Sequence, residues 1–240
     1  MPDNLHLNIR NLCTSDYPQV KTLMDSVYKD IGGAWPEHTF LKLIDDFPEG
    51  QICLVDHERL VGMALSVQVD YIRFSNPHTY DDLMGNRLTI RHQKDGDAIY
   101  GLDLLIHADY RGFRLGRRLY DARKELCRQY NLRAILAGGR IPMYHNHSDA
   151  MSAEEYLAAV KCREIYDPIL TFQLSNDFQV KRLLRQYLPE DEKSLGYATL
   201  LEWSNILYEV SDLVIETQKT SVRVGAVQWQ MRQVTSVEDV

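Results

Sequence analysis

An apolar run from Ile99 to Ile106, closely followed by YRGFRLGRRL from Tyr110 to Leu119, constrains this chain more than any other feature. The two segments read as a strand, a tight turn and a helix in succession. Gly112 and Gly116 let the turn's backbone approach a ligand closely. The first amides of a helix have no partner within it, so those of the following helix point back at the turn. Such a place binds phosphate.

The charges agree. Leu115, Leu119, Ala122 and Leu126 line one face of the helix read from Leu115 to Tyr130. Arg114, Arg117 and Arg118 crowd its start, where the helix dipole favours anions, so cations there suit a bound polyanion. Arginines that simply face water are the plainer alternative.

The segment resembles motif A of the GNAT superfamily of N-acetyltransferases, whose pattern (Q/R)xxGx(G/A) follows a strand and holds the pyrophosphate of acetyl-coenzyme A. Arg111 takes the first position and Gly116 the last, while Arg114 replaces the middle glycine. Neither GxGxxG nor GK(S/T) is present, so this is no dinucleotide or P-loop fingerprint. The resemblance implies that backbone groups of Leu104, Leu105 and Ile106 hold the pantetheine arm. Arg111, Gly112, Phe113, Arg114, Leu115, Gly116 and Arg117 would hold the phosphates.

The rest of the chain fits that frame. Leu5 to Leu12 alternates as a strand, Thr14-Ser15-Asp16 with Pro18 starts a helix, and a second helix covers Glu37 to Phe47. Gln51 to Asp56 and Leu60 to Tyr71 read as a hairpin. Ile72 to Asp97 is a polar excursion, used either for acceptor entry or as a surface extension or dimer contact. Beyond the phosphate helix come a strand at Leu132 to Ala137, a capping box opening at Ser152, and a helix start at Asp167-Pro168. Phe178 to Leu184 and Tyr197 to Trp203 read as further strands.

At 240 residues and 45% apolar, the chain can bury a sizeable core. No apolar run is long enough to span a membrane, and the start does not read as a signal peptide, so a cytoplasmic protein is the default expectation. Cys13, Cys53, Cys127 and Cys162 form no CxxC pair, so neither a disulfide framework nor a zinc site is indicated. The net charge of −7 argues against general nucleic-acid binding.

Acyl transfer to an amine needs a base and an acid. Asp103, inside a buried strand, is the nearest carboxylate to the expected reaction centre. A second polar cluster, Arg140, Tyr144, His145 and His147, follows the next strand. His145 could relay a proton, and Tyr144 could replace the acid tyrosine that many family members carry where this chain has Gln173. His145, His147 and Asp149 lack a helix-borne HxxxH pair, so no metal is expected.

The tail carries SVRVGAVQWQMR, which resembles the first strand of carbon-nitrogen hydrolases, the nitrilase superfamily. The resulting expectation is a GNAT domain over residues 1–204, a linker over 205–220, and a truncated nitrilase-like start over 221–240 with no amidase activity of its own. The fold class expected is α/β, a mixed, mostly antiparallel sheet with helices on both faces. The expected activity is direct transfer from acetyl-CoA, or another acyl-CoA, to a small-molecule or peptidyl amine, with homodimer formation left open. Its rival is a non-catalytic acyl-CoA-binding module regulating a hydrolase, favoured by Gln173, Asp177 and Arg114.

Overall fold

A computed structural model describes residues 5–28, 33–85 and 91–210. The chain alternates strands and helices as β1 (Leu7–Asn11), α1 (Tyr17–Tyr28), α2 (Glu37–Asp46), β2 (Ile52–Asp56) and β3 (Arg59–Val69). The excursion after β3 folds into two short helices, α3 (Tyr71–Phe74) and α4 (Tyr80–Met84). Then follow β4 (Ala98–Ile106), α5 (Leu115–Gln129), β5 (Ala134–Arg140), α6 (Ala153–Lys161), α7 (Pro168–Leu174), β6 (Gln179–Leu184) and β7 (Ala198–Ser204).

The seven strands form one sheet in the order β1-β2-β3-β4-β5-β7-β6. All pairs are antiparallel except β4 with β5. β3 sits near the middle and is buried from Leu60 to Val69, because both of its faces are covered. Met63, Leu65, Val67 and Val69 join a core with Val20, Leu23 and Met24 of α1 and with Phe40 and Leu43 of α2. Ala64 faces the other way, under Leu115 and Leu119 of α5.

Local signals set several element ends. Ser152 and Glu155 form the reciprocal capping box at α6, and the Asp167 carboxylate accepts from the amides of Ile169 and Leu170 at α7. Residues 205–210, read as the start of a linker, are irregular after β7 closes at Ser204. The strand read at Val222 to Trp229 lies outside the described residues.

Two features of β4 open the sheet. Against β3, Leu65 pairs with Asp103 and Ser66 with Gly101, so Leu102 is an extra, bulged residue. A bulge bends its strand and raises the local twist. Against β5, pairing stops at Gly101↔Ala137, just before that bulge. From Leu102 to Ile106, β4 keeps β3 on one edge and has no strand on the other, while β5 continues alongside β7 to Arg140.

Candidate active site

Where β4 and β5 part, a cleft of ≈ 1040 Å³ opens. Asp103 lies in its wall, one residue past the bulge. Its carboxylate accepts a hydrogen bond from the Tyr28 hydroxyl at the end of α1, and its second oxygen is buried without a partner. Burial pushes this carboxyl up to about 7, although the Tyr28 bond and the nearby Arg123 and Arg140 charges pull it down. A carboxylate poised there can take or return a proton near neutral pH.

Arg123 of α5 fixes the strand beneath it. This buried guanidinium donates to the carbonyls of Leu65, at 3.0 Å, and Asp103, at 2.8 Å, which are the residues paired beside the bulge. Gly101 leaves it room, since a Cβ there would lie 2.6 Å from Arg123 Nη1. The charge thus satisfies main-chain acceptors that the bulge takes out of the regular ladder.

The residues expected to hold the cofactor are continuous with this centre. Leu104, Leu105, Ile106, Arg111, Gly112, Arg114, Leu115, Gly116 and Arg117 all line the same cleft. Every second residue of an edge strand turns its N–H and C=O away from its partner, so the open edge of β4 offers hydrogen bonds to an extended ligand. At the end of that edge, α5 begins without a side-chain cap. Arg111, Arg114 and Arg117 have no ion-pair partner among the described residues. An uncapped helix start ringed by unpaired guanidiniums fits the pyrophosphate of coenzyme A.

Two backbone details refine the loop. Gly112 has φ +86° with open space where a Cβ would sit, as a turn closing over a ligand requires. Arg114, in place of the motif's middle glycine, still adopts φ 58° and ψ 22°. The loop therefore keeps the left-handed geometry at a cost of roughly 1–2 kcal/mol, and carries a cation in exchange.

Gly116 has a packing role that the sequence did not reveal. It is buried, and a Cβ there would lie 2.6 Å from Phe172 Cζ of α7. Its smallness lets α5 and α7 pack closely beside the cleft.

Three of the expected site residues do not join the cleft lining. Phe113 turns away from it and is 39% exposed. Tyr144 is buried between Tyr156 and Tyr197, at ring distances of 5.4 and 5.6 Å, with its hydroxyl on the Met151 carbonyl. His145 turns Nδ1 to the carbonyls of Pro142 and Lys193, at 2.8 and 3.1 Å, and so ties down the loop that carries Glu190 to Lys193. The chain bends away after β5, which takes both side chains out of the gap between the strands.

Other residues fill that gap. Gln173 of α7 lines the cleft with its Oε1 buried and unpartnered, lying over Gly139, where a Cβ would meet it at 2.3 Å. Tyr187 lies over Gly138 in the same way, its ring carbon Cζ 2.2 Å from where a Cβ would be. Arg140 gives a bidentate pair to Asp191, with both contacts at 2.6 Å. Tyr28, Arg123 and Tyr187 were missed in the sequence. Only Arg123 left a trace, as the one charge four residues after Leu119 and three before Leu126 on the apolar face of α5. Among the described residues, no three His, Cys, Asp or Glu side chains are placed to hold a metal.

A model of the acetyltransferase (GNAT) family matches residues 12–147. The chain belongs to this family. It is 30% identical over 206 residues to the uncharacterized N-acetyltransferase YkwB of Bacillus subtilis, covering 85% of this chain and 91% of that protein. It is also 34% identical over 236 residues to the probable hydrolase YhcX of the same species, covering 96% of this chain. The chain spans 45% of that relative's length. Among solved structures, the GphF GNAT-like decarboxylase in complex with isobutyryl-CoA matches with a TM-score of 0.70 at 18% identity, covering 82% of this chain and 98% of that one.

These comparisons correct the reading of the tail. They support a single GNAT-fold domain over most of the chain, and no separate nitrilase domain or fusion is evident in them. A short alternating sequence pattern such as Val222 to Ala226 matches many families by chance, which is why that resemblance misled. Among the described residues, no helix is long and apolar enough to cross a membrane.

Proposed function

We propose that the chain is an acyl-CoA-dependent N-acyltransferase that passes the acyl group directly to an amine. One observation carries this reading. The open edge of β4, the uncapped start of α5 and the Asp103 carboxylate all face one cleft. Family membership supports the acyl-CoA assignment.

Leu104 to Ile106 bind the pantetheine through the main chain, and Arg111, Arg114 and Arg117 hold the phosphates together with the α5 amides. A free amide on the same edge of β4 polarises the thioester carbonyl and stabilises the oxyanion. The amine enters beside Tyr28 and Tyr187. Asp103 takes a proton from the tetrahedral intermediate's nitrogen and returns it to the departing thiolate, a role that Gln173, with no acidic proton, does not fill.

Calorimetry with acetyl-CoA and thiol release against a panel of amines test the proposal together. Release above background that is lost in Asp103→Asn supports the enzyme. Micromolar binding with no turnover on any amine supports a binding module instead. Binding that Arg111→Ala with Arg117→Ala leaves unchanged overturns the phosphate assignment.

A further inference from the structure

Transfer from acyl-CoA to a protonated amine releases a proton. Written out, R–NH3⁺ and acyl–S–CoA give R–NH–acyl, HS–CoA and H⁺. One amine proton ends on the thiol sulfur, and the other has to leave the cleft. The Asp103 carboxylate accounts for the first and offers no way out for the second.

A chain of hydrogen bonds leads out of the cleft from Tyr187. Its hydroxyl sits over Gly138, where β5 has left β4, and meets the Tyr100 hydroxyl at 3.1 Å. Tyr100 is fully buried in β4, and its hydroxyl lies 2.9 Å from Nε2 of His78. Nδ1 of His78 lies 2.7 Å from the carbonyl of Asn76, and His78 is partly exposed at the far end.

The Asn76 carbonyl gives this chain a direction. A carbonyl can only accept, so Nδ1 carries the hydrogen and Nε2 presents its lone pair. Tyr100 then donates to Nε2, and Tyr187 donates to Tyr100. The oxygen left to accept is that of Tyr187, at the cleft wall.

We propose that Tyr187, Tyr100 and His78 form a proton exit for the acyltransferase reaction, with Tyr187 accepting the proton of the incoming ammonium and His78 releasing one to solvent. The inference rests on the acyltransferase reading above. In the step, the nitrogen–hydrogen bond of the ammonium breaks as a Tyr187 O–H bond forms. Tyr187 passes its own hydrogen to Tyr100, Tyr100 passes its own to Nε2, and a neutral amine remains with an imidazolium at the surface.

The surroundings suit this traffic. Burial lowers the His78 pKa, the Asn76 carbonyl and the Asp82 carboxylate of α4 oppose the fall, and Arg182 of β6 adds to it. The ring is therefore neutral at neutral pH and sheds an acquired proton readily. Burial also raises both tyrosines, so they pass a proton without resting as phenolates. The other groups facing them are Tyr80, whose field reaches Tyr100, and Asp103, whose charge reaches Tyr187. The exit also gives a use to the excursion after β3, which supplies His78 and Asn76.

The test compares wild type with Tyr100→Phe and His78→Gln in steady-state transfer to an acceptor found in the amine panel, from pH 6 to pH 9 as an order-of-magnitude working range. Below the acceptor's own pKa, kcat falls about tenfold or more while acetyl-CoA affinity is unchanged. The deficit closes as pH approaches the amine's pKa, because an amine that arrives neutral has no proton to export. Imidazole buffer restores His78→Gln. An unchanged kcat in both variants, or a deficit constant with pH, overturns the exit. If Tyr100→Phe does not fold, His78→Gln at the partly exposed end decides alone. Wild type that binds acetyl-CoA and acylates no amine overturns the transferase reading and the exit together, whereas wild-type transfer with unaffected variants overturns the exit only.

Discussion

Gly116 of α5 lies directly beneath the ring of Phe172 of α7, so close that a Cβ on the glycine would sit 2.6 Å from Phe172 Cζ. The last position of the phosphate-loop motif is thus a packing contact between two helices that flank the cleft. Gly116→Val accordingly destabilises the fold by about 1–3 kcal/mol through overpacking, and coenzyme A affinity falls with it. Chemical denaturation of Gly116→Val with and without Phe172→Ala checks this. Recovery of stability in the double variant is expected, and a single variant as stable as wild type refutes the contact's importance.

Arg114 holds a left-handed backbone that glycine adopts freely. Arg114→Gly therefore affects stability and binding in opposite directions. Relief of the side-chain clash favours the folded state by roughly 1 kcal/mol, less the entropy that glycine adds to the unfolded chain. Loss of the cation weakens coenzyme A binding and flattens its salt dependence. A variant that binds as tightly as wild type at low salt contradicts the proposed phosphate contact.

The raised carboxyl of Asp103, at about 7, predicts a pH profile. Acting as a base requires the deprotonated form, so kcat/KM rises with pH through about 7 and levels off above it. Asp103→Asn removes that limb along with most of the rate. Stability runs the other way. The folded carboxyl binds its proton more tightly than the unfolded one, so its contribution is complete below the unfolded value and is lost as pH rises through the folded value. Relative to wild type, Asp103→Asn is thus more stable at alkaline than at acidic pH, as melting curves at both ends of that window would reveal.

Gly101 and Arg123 share a single space. Gly101→Ala pushes the guanidinium off the carbonyls of Leu65 and Asp103, and Arg123→Lys keeps the charge but removes the Nη2 that donates to both. Each costs about 2 kcal/mol or more, since buried acceptors are left without a donor. Because both variants break the same interaction, the double variant costs less than the sum. Strict additivity in a denaturation cycle would count against this arrangement.

The legible parts of the molecule were the ones fixed by neighbours in sequence. The strand–turn–helix from Ile99 to Leu119, the Ser152–Glu155 capping box and the Asp167–Pro168 helix start depend on residues within a turn or two of each other, and periodicity and capping chemistry expose them. Asp103 was readable as a carboxylate in an apolar strand. Its partner Tyr28 lies 75 residues away, and Tyr100 meets Tyr187 across 87. Neither pairing leaves a local pattern, because in each segment an aromatic at helical or strand spacing looks like core. Tyr144 and His145 lie off the cleft wall for the converse reason. They follow β5 closely in sequence, but the chain turns at Ile141, so that Tyr144 packs among aromatic rings and His145 bonds the carbonyls of Pro142 and Lys193 instead of facing the cleft.

The parting of β4 and β5 leaves a seam of peptide groups whose hydrogen-bonding capacity is the same whatever side chains flank it. Recognition written in the main chain is insensitive to the identity of residues 104–106 as long as they stay extended. Sequences can therefore drift along this seam while the ligand is read unchanged. An alanine scan of β4 would report the packing of Leu104, Leu105 and Ile106 against the core, and backbone ester substitution would be needed to isolate what the main chain itself contributes.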